Sequence, residues 1–108
     1  MAKDKATHLL AFYVPKEDAE KVLDALFDEG AGKIGDYDRC CWRTEGTGQF
    51  RPLEGSNPSL GQHGQVESIH EWKIELVCRE EQIPALLAAL KASHPYEEPA
   101  YHFISIRT

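Results

Sequence analysis

The sequence predicts an α+β domain with the element order β-α-β-β-α-β, and three observations carry that prediction. Two stretches, over residues 16–29 and 81–93, place apolar residues at helical intervals. Each follows an apolar or alternating run that reads as a strand. The chain closes on one more such run, YHFISI, while a glycine- and proline-rich segment separates the two middle strands.

Thr7–Val14, THLLAFYV, is aliphatic and aromatic and stops at Pro15, which marks a buried strand. In 16–29, Ala19, Val22, Leu23, Leu26 and Phe27 form an apolar stripe, and Glu17, Asp18, Glu20, Lys21, Asp24 and Asp28 fill the other face. Acids in the first turn complement the helix dipole, and Gly30 is placed for a left-handed C-terminal cap. Tyr37–Thr44, YDRCCWRT, reads as the second strand.

The segment from about 45 to 64 holds Gly46, Gly48, Gly55, Gly61 and Gly64 with Pro52 and Pro58, and reads as a long loop. Trp72, Ile74, Leu76 and Cys78 then alternate with Glu71, Lys73 and Glu75, the pattern of a half-buried strand that Val66–His70 extends. Ile83, Leu86, Leu87 and Leu90 stripe the second helix; Pro84 fits only its first turn, and His94-Pro95 ends it. Tyr101–Ile106 is the last strand. This order is the ferredoxin-like arrangement, with both helices expected on one face of an antiparallel sheet.

The 108 residues fit a single domain over 1–108. A hydrophobic fraction of 42% with 28% charged residues is globular rather than disordered. A formal charge of −6 with scattered Lys and Arg argues against nucleic acid as a partner. The polar start Met1–Lys5 has no signal-like apolar stretch behind it, and no run is long enough to span a bilayer, so the expected location is cytoplasmic. Three cysteines, two of them adjacent, form no even disulfide framework, which fits a reducing compartment.

Three stretches carry a family resemblance: GAGKIGDYDRC at Gly30–Cys40, EGTGQFRPLEGSNP at Glu45–Pro58, and HPYEEPAY at His94–Tyr101. In this order the chain resembles the inserted CutA/PII-like domain of the Nif-three-like dinuclear-metal proteins, here as a stand-alone chain. The resemblance implies a ferredoxin-like sandwich of CutA/PII type, a homo-oligomer with a trimer as first expectation, and a separate Nif-three-like protein as a second possible partner. It places that family's metal ligands in flanking lobes, so none transfers to a residue of this sequence. Cys41, Trp42, His63 and His102 depart from the residue types the resemblance implies.

Two places hold candidate site residues. His94, Tyr96, Glu97 and Glu98 in the HPYEEP turn offer donors for a divalent metal or a polar ligand. The competing reading is a proline-locked corner whose acids meet solvent or a neighbouring subunit. Gly46, Gly48, Phe50, Arg51 and Pro52 stand where the resemblance puts the ligand-responsive loop of PII proteins. They suggest either a backbone nest for an anion such as a nucleotide phosphate or an arm packed on another copy. The segment lacks the Gly-Lys-Ser/Thr of a P-loop.

No Cys or His spacing matches a known metal pattern, and no cofactor is expected. Cys40 or Cys41 with His70 and a carboxylate is the only nucleophile–base pairing in view, and nothing in the spacing requires it. Trp42, Trp72, Phe50 and Tyr101 are read as a stacking platform or, more ordinarily, as core and interface. The sequence therefore points to a non-enzymatic, homo-oligomeric assembly or regulatory module, with a small-ligand (nucleotide) or divalent-metal sensor as the alternative.

Overall fold

A computed structural model describes residues 5–108; the polar start at residues 1–4 lies outside them. Strand β1 is His8–Pro15, helix α1 is Ala19–Asp28 after a 3-10 turn at Lys16–Asp18, and strand β2 is Trp42–Phe50. Strand β3 is Glu67–Cys78, helix α2 is Ile83–Ser93 after a second 3-10 turn at Glu80–Gln82, and strand β4 is Tyr101–Ser105. All pairings are antiparallel in the order β2-β3-β1-β4, the ferredoxin-like sheet.

The register explains the core. Leu10, Phe12 and Val14 of β1 stand opposite Leu76, Ile74 and Trp72 of β3, so these side chains share one face. That face closes on Val22, Leu23 and Leu26 of α1 and Leu86 and Leu90 of α2, all of them fully buried. Fully burying an aliphatic side chain of this size contributes about 1.5–3 kcal/mol. Gly30 caps α1 at φ +93°, and its N–H donates to the Phe27 carbonyl, as the sequence predicts. Among the described residues no helix is long and apolar enough to cross a membrane.

The second strand differs from expectation. Tyr37–Cys41 is not extended: Ile34 and Tyr37 exchange both backbone hydrogen bonds, and Arg39 sits at φ +54°. The strand instead starts at Trp42 and runs through Glu45–Phe50, residues the glycine content assigns to a loop. Nine rungs with β3 supply backbone partners that outweigh the ~0.5–1 kcal/mol entropic cost of each strand glycine. The true loop is therefore 51–66. It packs on itself: Gly64 N–H donates to the Pro52 carbonyl, Ser56 N–H to the Leu53 carbonyl, and His63 Nε2 lies 2.9 Å from the Ser56 carbonyl oxygen.

Strand β1 reaches only Glu71 of β3, whereas β2 pairs as far as Glu67. Thr47–Phe50 and Glu67–His70 thus project as a two-stranded ribbon. The molecule measures 51 × 25 × 22 Å. Its radius of gyration is 14.9 Å, against about 13 Å for a compact domain of this length. At the other end, Ile106 N–H donates to the Thr7 carbonyl and Thr108 Oγ1 to the Ala6 carbonyl, so the beginning and end of the described chain run side by side.

Candidate functional site

The ribbon, the 51–66 loop and the HPYEEP turn enclose a groove of about 530 Å³. Gly48, Phe50, Arg51 and Pro52 line it together with Tyr96, Glu97 and Glu98, so seven of the sequence candidates meet here. Gly46 lies higher on β2, where a β-carbon would meet open space. The size falls within the 300–1,000 Å³ common for small-molecule sites. A larger depression of about 720 Å³, bordered by Lys5, Lys33 and Arg79 near the β3–α2 junction, contains none of the candidates.

His94 lies beneath the groove and holds the corner together. Its Nε2 donates to the Tyr13 carbonyl at 2.6 Å, and its Nδ1 accepts the Tyr96 N–H at 3.1 Å. Both ring nitrogens are thus engaged, which fixes the neutral Nε2–H tautomer and leaves no lone pair for a metal. Burial also lowers its proton affinity below the usual histidine value, and the Tyr13 carbonyl only partly offsets this. Glu97 ties loop to turn: the Asn57 N–H reaches both of its carboxylate oxygens, at 3.3 and 3.1 Å. Among the described residues no three His, Cys, Asp or Glu side chains converge on a point that would hold a metal ion.

The sequence reading missed Glu71. Strand alternation assigns it to the polar face, yet it is 8% exposed and forms the floor of the groove. Its Oε2 accepts the Tyr96 hydroxyl at 2.9 Å. Burial, reinforced by this carboxylate, pushes the Tyr96 phenol well above its usual range. The signal was present in β2: glycine inside a strand often marks a close approach. A β-carbon at Gly48 would overlap Glu71 Oε1.

Three expectations are corrected. Gly46 and Gly48 lie in extended β2 rather than at positive φ, so Glu45–Arg51 forms no backbone nest for an anion. The aromatic set divides between the faces: Trp42 and Phe50 register with Glu75 and Glu67 on the open face, whereas Trp72 and Tyr101 pack against the core. Trp72 there lies under Arg43 and Lys16 and donates its indole N–H to Glu45. The thiol–imidazole pairing is not assembled. Trp42, adjacent to Cys41, registers with Glu75, five residues along β3 from His70, which is roughly 17 Å. His70 instead meets Glu45, and Cys78 is buried with its thiol pushed up to about 11.

No known family model matches the chain. It is 45% identical over 94 residues to the GTP cyclohydrolase 1 type 2 homolog of Mycobacterium tuberculosis, covering 87% of this chain and 25% of that protein. It is 47% identical over 92 residues to the protein of the same name from Bacillus subtilis, covering 85% of this chain and 25% of the relative. This chain thus spans about a quarter of the length of the curated relatives it matches. Among solved structures, a Bacillus cereus protein related to NIF3 superposes with a TM-score of 0.81 at 36% identity, over 96% of this chain and 27% of that one. The periplasmic divalent cation tolerance protein CutA of Archaeoglobus fulgidus superposes at 0.68 with 19% identity, over 94% of this chain and 84% of its own, which shows a shared fold. The chain is therefore similar to one segment of the NIF3-related proteins, built on the fold that CutA also has.

Proposed function

We propose that this chain is a non-enzymatic, homo-oligomeric assembly or regulatory module, equivalent to the inserted CutA/PII-like domain of the Nif-three-like proteins and forming a single domain over 1–108. The observation that carries the reading is the β2 edge. Nine residues, Trp42–Phe50, border the sheet, pair only with β3 among the described residues, and are mostly exposed. Long exposed edges are covered in stable proteins because their free N–H and C=O groups recruit other strands.

The sheet face away from the helices supports the same reading. Trp42 is 68% exposed, and with Leu9, Ile34, Cys41 and Val77 it borders an apolar depression of about 430 Å³. Ile104, on the same face of β4, is also exposed. A second copy closes both edge and face by symmetry, and a ring of three is the first arrangement to test. The segment around Phe50–Gly64 and the HPYEEP turn are expected at or near that contact. Unpaired Cys40, Cys41 and Cys78 fit the cytoplasmic location this role would have.

Light scattering after size exclusion tests the proposal. The expected particle is about three times the 12.2 kDa chain at micromolar concentration. A monodisperse monomer would overturn it. Co-elution with an added NIF3-related protein, without self-association, would replace it with a docking role on that partner.

A further inference from the structure

Glu71 raises a question that assembly does not answer. It is a carboxylate more than nine-tenths buried, and the Tyr96 hydroxyl is a neutral donor to one of its oxygens. Among the described residues no Lys, Arg or His forms an ion pair with it. Its other oxygen accepts no hydrogen bond among the described residues and borders the groove, where a ligand can reach it. His94 is not the counter-charge, since its Nε2 proton is committed to the Tyr13 carbonyl. Arg51 is exposed at the rim and forms no ion pair among the described residues.

Acids outnumber the one cation, Arg51, among the residues that line the groove with Glu71. Its carboxylate forms the floor of the groove, and Glu97 and Glu98 add negative charge at the rim. Phe50 and Tyr96 pack on each other as a tilted ring pair, centroids 6.2 Å apart and planes at 48°, and both line the groove. Aromatic faces attract cations, and more so when the site is partly desolvated. Pro52 and Leu53 leave an apolar stretch beside them. Acid floor, paired aromatic rings and apolar flank together match an amine or guanidinium on a short hydrocarbon body.

We propose that this groove binds a small organic cation, an alkylammonium or guanidinium, with Glu71 as its counter-charge and the Phe50–Tyr96 ring pair as an aromatic surface beside it. The site borders the proposed subunit contact but does not depend on it, and the two readings fail separately. An oligomer with no affinity for amines would sink only this proposal, and a monomer that binds them would sink only assembly.

Calorimetric titration of the whole chain with cadaverine and with butylguanidinium is the test, with the dicarboxylate glutarate as the anionic control. Saturable, stoichiometric binding of at least one cation is expected, weakening with added salt, and none of glutarate. Glu71→Gln is expected to lower the affinity at least tenfold while keeping the circular-dichroism spectrum. Tyr96→Phe, which removes a competing donor and keeps a ring, is expected to bind as tightly as the parent or more tightly. It also serves as the folded reference should Glu71→Gln lose structure. Absence of saturation by either cation, equal binding of glutarate, or a folded Glu71→Gln variant with unchanged affinity would each overturn the proposal.

Discussion

Gly48 lies diagonally across the β2–β3 ladder from Glu71, and the space where a β-carbon would stand is filled by the Glu71 carboxylate. One residue is small because the other is buried. Gly46, one rung-pair away on the same face of the same strand, faces open space. The two glycines therefore separate steric need from strand propensity.

Gly48→Ala is expected to destabilise the fold by about 1–3 kcal/mol, the usual cost of forcing atoms into a filled site. In a Glu71→Ala background the same change is expected to cost little. Gly46→Ala is expected to be neutral or to stabilise by up to about 1 kcal/mol. Urea denaturation of the four variants measures this. Equal costs for Gly48→Ala in both backgrounds would contradict the described contact.

Glu97→Ala is expected to release the loop without unfolding the sheet. The Asn57 amide loses its carboxylate acceptor, and its hydrogen exchange is expected to accelerate about fivefold, for ~1 kcal/mol of hydrogen bond. Amides of β1 are expected to exchange as before. An unchanged rate at Asn57 would show that the tether does not operate in solution.

Stability is expected to fall as pH drops below about 6.5, the ordinary histidine value. His94 has its proton affinity lowered in the fold, so the unfolded chain takes up a proton first and acid favours unfolding. Above that pH both states are neutral at this ring and its contribution is fully present. Thermal melts from pH 7.5 to 5 are expected to slope less in His94→Gln than in the parent. Parallel slopes would assign the pH dependence to other groups.

Trp42→Glu is expected to weaken self-association at least tenfold, about 1.4 kcal/mol, because a large exposed indole beside an open edge has the character of an interface anchor. The melting temperature extrapolated to low concentration is expected to change little, since Trp42 lies outside the core. Sedimentation equilibrium reads both species. Undiminished association would move the contact elsewhere.

Alkylation by iodoacetamide at pH 8 is expected to modify Cys40 and Cys41, which are partly exposed, and to spare Cys78, whose burial holds its thiol protonated. Peptide mass spectrometry resolves the order. Early modification of Cys78 would mean that the sheet opens at its β3 end.

Legibility followed the strength of the local signal. Leu10, Phe12 and Val14, and the stripes of Val22, Leu23, Leu26, Leu86 and Leu90, stand at strand and helix periods, and tertiary packing uses them as written. Strand β2 was misplaced because glycine lowers strand propensity, whereas pairing with β3 is a tertiary effect invisible from WRTEGTGQF alone. The HPYEEP turn and the Gly48–Pro52 segment were legible as a candidate pair because they are unusual in composition. Their meeting in one groove was not, since it depends on a loop folding back through Asn57 and Glu97. Glu71 was hidden because period-two alternation assigns a charged residue to solvent, and only a cross-strand neighbour reveals that it is covered.

The hydrogen bonds that join Thr7 to Ile106 and Ala6 to Thr108 place the two ends of the described chain side by side, next to inner strand β1 and edge strand β4. A fold that departs and returns at one spot needs only a narrow gap in any host. It can be spliced into a loop of a larger protein with little distortion of either part, because the host strands flanking the junction keep their spacing. The same doorway would let such a unit swing as a rigid appendage, carrying its groove and its bare strand border to wherever the host presents them.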